Sequence, residues 1–198
     1  PMGVGLSVLS QPIMTVIYPG SHESGPELLL LMGAASFFVC MALMMNAILQ
    51  AGGNEKYPIY SMIAGGVVKV AVNWVLVANP EINIVGAPIG TLACYAVMCV
   101  MNYVFLCARL PERPSLRRIF LRPAISCAAM GLAAWAVYGL GARFLGDGRL
   151  ETAVAMVLAI GAAVIVYFVL VVLLRAITCE DMKLIPKGEK LARILHIK

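Results

Sequence analysis

The chain has 198 residues, 62% of them hydrophobic and only 13% charged, with 15 Lys and Arg against 10 Asp and Glu for a formal net charge of +5. A soluble globular domain is nearer half apolar and a quarter charged, so this composition, with its mean hydropathy of +0.92, excludes an ordinary soluble fold and indicates an integral membrane protein. The positive balance does not indicate nucleic acid, because the basic residues sit in short connectors between apolar runs, where membrane topology accounts for them.

The chain opens Pro1-Met2 on an apolar run already under way and without a basic leader, so no signal peptide is read and a fragment lacking its N-terminal part is expected. The first run, Gly3 to Tyr18, is short for a span, and Gln11-Pro12 is expected to kink it near its outer end or finish it early. After the turn-forming connector Pro19 to Gly25, a second span is predicted from Glu27 to about Gln50, with Gly52-Gly53 as its stop. The third, Pro58 to Ala78 (PIYSMIAGGVVKVAVNWVLVA), carries Lys69 near its middle and Asn73 one turn later. Asn79-Pro80 closes it. A fourth span runs from about Ile84 to Ala108, a basic connector covers Arg109 to Arg118, and a fifth span covers about Ile119 to Leu140. Gly141 to Arg149 leads to a sixth, about Leu150 to Leu174. Runs of this length satisfy their backbone in lipid as helices, so the expected fold is all-α, a polytopic bundle of about six transmembrane helices.

Charge orients the bundle. If the second-third loop, the fourth-fifth loop and the tail share one side, that side holds Lys56, five arginines between Arg109 and Arg122, and six basic residues from Arg175 to Lys198. The other side holds Arg143 and Arg149. The positive-inside rule then places the tail of this multi-pass protein in the cytoplasm. Within the tail, Leu191, Ile194 and Leu195 fall on one helical face, with Lys190, Arg193 and Lys198 around them. The segment 177–198 reads either as a short cationic helix lying on anionic lipid or as a solvated tail.

Lys69 lies roughly 15 Å from either end of its span, where a charge costs about 2.5 to 3.5 kcal/mol and normally faces a bundle interior or a water-filled cavity. Every acidic residue of the chain lies in a connector, in the tail or near the start of a span, so none neutralises Lys69 at that depth. Four solutions stand: an acid elsewhere in a longer protein, backbone carbonyls and water, a neutral lysine, or an anionic ligand. Asn73 shares its face and is positioned to orient either the lysine or a bound oxygen. Lys69, Asn73 and the same-face pair Asn46 and Gln50 are therefore the candidate substrate-binding residues. The competing reading makes all four interhelical glue, as it does the lone Asn102 of the fourth span. Gly65-Gly66 and Gly86 with Gly90 permit close backbone approach. The six cysteines have no metal-type or paired spacing, and His22 and His196 stand alone in loop and tail. No phosphate loop, hydrolase triad or paired intramembrane carboxylates occur, so no cofactor, metal or enzymatic activity is expected.

The stretch Ala47 to Leu106 carries Leu49-Gln50-Ala51-Gly52, the Gly65 to Asn73 block GGVVKVAVN, the connector NPEINIVGA from Asn79 to Ala87, and Thr91-x-x-Cys94-Tyr95. With the tail motif EDMKLIPKGEKLARIL, it resembles the multidrug/oligosaccharidyl-lipid/polysaccharide exporter superfamily, in its stage V sporulation protein B and polysaccharide-biosynthesis flippase branch. The resemblance implies the C-terminal part of a 14-helix fold of two six-helix lobes and two added helices. Residues 1–140 would be second-lobe helices with the first added helix, 141–176 the last transmembrane helix and 177–198 the tail; the chain lacks the first lobe and the start of the second. It further implies a flippase carrying a lipid-linked oligosaccharide or peptidoglycan precursor outward by alternating access, with a lipid-linked sugar pyrophosphate and the missing N-terminal lobe as partners. An ion-coupled drug exporter of the same superfamily and a non-transporting membrane scaffold are the alternatives.

Overall fold

The computed structural model describes residues 1–18, 24–80, 82–109, 116–146 and 148–173. Their regular structure is helical: α1 (Met2–Val8), α2 (Ser10–Ile17), α3 (Gly25–Ala51), α4 (Lys56–Val77), a single 3-10 turn at Asn83–Val85, α5 (Gly86–Arg109), α6 (Leu116–Leu145) and α7 (Arg149–Leu173). Among the described residues five stretches are long and apolar enough to cross a membrane: α3, α4, Asn83–Arg109, Pro123–Phe144 within α6, and α7. The polytopic helical bundle expected from composition is what the chain forms.

The first predicted span is the exception. It is two helices of 7 and 8 residues, α1 and α2, meeting at Leu9, whose φ of −99° and ψ of 18° leave the helical region. Pro12 is the cause: it has no N–H for the Val8 carbonyl, and its ring crowds that carbonyl, so the helix opens on the N-terminal side of the proline. The disruption therefore falls a turn earlier than the expected kink at Gln11-Pro12, and neither piece spans a membrane by length.

The contacts divide the chain into two units, Met2–Pro114 and a second built on α6 and α7 from Ser115 onward. In the first, α5 is central, packed along both α4 and α3, while α1 lies on α3. Ala42 of α3 and Cys94, Met98 and Cys99 of α5 form its core, covered by Phe38, Met41 and Tyr95. Lipid tails offer no hydrophobic drive for helices to pair, so close backbone approach has to supply the contact. Small residues provide it. A Cβ on Gly65 would lie 2.6 Å from Met98 Cγ and 3.1 Å from the Cys94 carbonyl oxygen, and one on Gly86 would lie 2.8 Å from Leu76 Cβ. Across α1 and α3, a Cβ on Gly3 would lie 2.5 Å from the Gly33 carbonyl oxygen, and Ser7 Oγ donates to the Leu30 carbonyl at 3.0 Å.

In the second unit, Ala155, Ala159 and Ala163 recur every four residues on α7 and are buried, as are Ser126, Met130 and Ala134 of α6. Gly141 meets Ala155 at the end of this seam.

The turns are built by local chemistry. Gly53 at φ +72° ends α3: its N–H bonds to the Gln50 carbonyl and that of Asn54 to Leu49, the two bonds of a Schellman stop at the predicted Gly52-Gly53 position. At the start of α7, Glu151 Oε2 accepts the Gly148 N–H at 3.0 Å, which satisfies an amide the helix leaves free. The outer surface is apolar, with Trp74 79% and Phe144 85% exposed. That inversion of a soluble protein is what a lipid surround or further helices require.

Candidate functional site

The α4 face that meets α5 is read from Pro58, Ser61 and Gly65, all buried. One turn past Gly65 on the same stripe is Lys69, and one turn further is Asn73. Gly65 touches Cys94 and Met98, and the Asn73 carboxamide lies against Gly90, where any side chain on the glycine would collide with it. Lys69 sits between these two contacts, half-buried, with its charge within electrostatic reach of the Cys94 thiol. The structure thus puts Lys69 on the α4–α5 seam. It is the fourteenth of 22 residues in α4, about 12 Å along the axis from the nearer end.

No carboxylate of the described residues shares that depth: Glu27 and Glu151 lie in the first turns of α3 and α7, and Glu55 caps α4. Asn73 Oδ1 is buried and without a hydrogen-bond partner. A mid-span ammonium and an orphaned carboxamide oxygen one turn apart make a locus that can hold a phosphate-type oxygen through the lysine and a donor through the asparagine. Around the helix from this stripe, Ile63, Gly66, Val67, Val70, Ala71 and Trp74 line a shallow recess of about 500 Å³ with almost wholly apolar walls. Gly66, at its edge, is about 60° from Lys69 on the helical wheel.

Asn46 sits elsewhere. Its Oδ1 accepts a 2.7 Å hydrogen bond from Asn102 Nδ2, joining α3 to α5. Asn102 is completely buried, and its Oδ1 has no partner. Gln50, one turn beyond Asn46, is exposed near the end of α3. Of the four sequence candidates, the structure brings Lys69 and Asn73 together on one side of α5, ties Asn46 to Asn102 against another part of it, and leaves Gln50 outside both. Cys94 and Asn102, which mark the two loci on α5, are about 12 Å apart along its axis. The close approach expected at Gly65, Gly86 and Gly90 is present, whereas Gly66 has no neighbour within 4 Å of where its Cβ would be. The five described cysteines are free thiols, and among the described residues no group of three or more His, Cys, Asp or Glu is arranged to hold a metal.

Sequence reasoning did not find a further cluster where α4 begins and α5 ends. Arg109 donates a hydrogen bond to the Tyr57 hydroxyl, and its Cζ stands 5.0 Å from the Tyr57 ring centroid. Tyr57 packs in turn on Phe105 at 4.8 Å. Tyr57 and Arg109 are 52 positions apart, and the antiparallel pairing of the two helices unites them.

Over 97% of its length the chain is 28% identical to an uncharacterized membrane protein, YabM, of Bacillus subtilis, and over 84% it is 28% identical to that organism's lipid II flippase MurJ. It spans about a third of the length of these curated relatives, 35% and 32% respectively. No protein-family model and no solved structure matches the chain. The two likenesses, with five apolar helices among the described residues, support a multi-pass membrane protein.

Proposed function

We propose that the chain is the C-terminal portion of a flippase that moves a lipid-linked oligosaccharide or peptidoglycan precursor across the plasma membrane by alternating access. The observation that carries this reading is the likeness of 84% of the chain to the lipid II flippase MurJ of Bacillus subtilis. The Lys69–Asn73 locus supports it chemically. A precursor on a lipid pyrophosphate presents phosphate oxygens that must cross hydrocarbon, and an ammonium fixed at mid-span offers them a charge-assisted partner in a low-dielectric setting. The first lobe, absent from this chain, supplies the other half of the pathway, and the tail faces the cytoplasm.

Lys69→Ala and Lys69→Gln in the full-length protein test the proposal by translocation of a fluorescent lipid-linked precursor in proteoliposomes. Hydrogen bonds to a charged group contribute about 1.5 to 3 kcal/mol, so both variants should lose roughly tenfold or more in rate at unchanged expression and thermal stability. Undiminished translocation in both would remove Lys69 from the substrate path. Loss of drug efflux with intact precursor flipping would point to the exporter reading, and no transport phenotype of either kind to a scaffold.

A further inference from the structure

We infer that the Tyr57–Arg109 clasp is a phosphate-binding site at the membrane surface, taking the phosphodiester of an anionic lipid headgroup. It is distinct from the Lys69 locus and does not rest on the transport proposal.

Placement is the first ground. Lys56 is the first residue of one membrane-crossing stretch and Arg109 the last of another, so the clasp lies where hydrocarbon gives way to the headgroup layer. Geometry is the second. The guanidinium is bonded to the Tyr57 hydroxyl with its Cζ 5.0 Å from the ring centroid, and the ring is backed by Phe105. Among the described residues one of the five guanidinium N–H groups is committed, to the phenol, which leaves four on a planar fork whose rotation that bond restricts. A preorganised fork matches the oxygens of a phosphate and loses less freedom on binding it than a loose side chain does.

Charge is the third ground. Lys56 precedes Tyr57 directly, and Arg113, Arg117 and Arg118 follow Arg109 in sequence, with Glu112 the one acid among them. Among the described residues the carboxylate at this end is Glu55, at the cap of α4, and Arg109 bonds to the Tyr57 phenol rather than to it. An exposed arginine held by a neutral partner keeps its full positive charge on offer. Near an anionic leaflet each such charge adds to the attraction. The aromatic support converts that general attraction into a localised one, because ring and cation present a single surface to the headgroup.

The test uses the full-length protein in nanodiscs of phosphatidylcholine containing a minor fraction of phosphatidylglycerol, with retained lipid counted by native mass spectrometry. Wild type should hold phosphatidylglycerol in preference to phosphatidylcholine, and Arg109→Gln should weaken that retention roughly tenfold. Arg109→Lys keeps the charge but not the fork, and Tyr57→Phe keeps the ring but not the hydroxyl; each should fall between wild type and Arg109→Gln. Equal retention by wild type and Arg109→Gln would overturn the site. Full retention by both Arg109→Lys and Tyr57→Phe would overturn it too, leaving only diffuse attraction. Because Tyr57→Phe preserves the packing on Phe105, it reads the site even where Arg109→Gln fails to fold. The alternative phosphate source is tested by adding inorganic pyrophosphate: no displacement of retained lipid is expected. Displacement at micromolar concentration would assign the clasp to a pyrophosphate and overturn the headgroup assignment.

Discussion

Asn102 has no exposed surface, and in an apolar bundle its carboxamide has one protein partner, Asn46, at 2.7 Å. Asn102→Ala removes that bond and strands the Asn46 oxygen, so it should destabilise the full-length protein by about 1 to 3 kcal/mol in thermal unfolding in detergent. Combined with Asn46→Ala, the coupling energy should be about 0.6 kcal/mol and at most about 1.7, the range of interhelical hydrogen bonds in membranes. A coupling indistinguishable from zero would mean that the two amides do not bond in the membrane. The polar interruptions themselves were legible, since an amide or ammonium stands out in a run such as VVKVAVN. Their partners were not, because a contact across a seam depends on the relative register of two helices, which no single helix encodes. Asn46 was readable as half of a pair with Gln50 on its own helix, and the structure pairs it instead with Asn102, 56 residues away.

At the level of elements, the α4–α5 seam turns on which glycine faces the partner. Gly65 and Gly66 are adjacent and chemically identical, yet the helix turns them about 100° apart. Gly65→Leu must displace Met98 or open the seam, and overpacking of that kind costs about 1 to 3 kcal/mol. Gly66→Ala meets nothing within 4 Å and should leave the melting temperature unchanged or slightly raised. Thermal melts of the two variants check this directly, and equal losses would show that α4 is rotated from the orientation described. Helix limits were legible to within a few residues wherever glycine or proline punctuated a long apolar run, as at Gly52-Gly53 and Asn79-Pro80. The Leu9 break was less so. A proline's effect falls on the carbonyl four residues earlier, so where the chain relaxes depends on the neighbours that α1 and α2 find on α3.

For the whole molecule, the membrane orientation is set by where the charges fall once helices alternate direction. The start of α4, with Lys56, and the end of α5, with Arg109, lie at the same end of the antiparallel α4–α5 pair. The α6–α7 turn, flanked by Arg143 and Arg149, belongs to the opposite side if each long helix crosses once. On that condition the connector from Arg109 to Arg122 and the tail would put twelve basic residues on the first side against two on the second. Translocating such a set against the positive-inside bias is strongly disfavoured, so the first side should be cytoplasmic. In a full-length protein freed of other reactive cysteines, Asn54→Cys should react with a membrane-impermeant maleimide only after the cells are permeabilised. Asp147→Cys should react in intact cells. The reverse pattern would invert the topology and move the Tyr57–Arg109 clasp to the outer leaflet. Labelling of both positions in intact cells would mean that α4, α5 or α6 does not cross, because an odd number of crossings between the two positions is what separates them.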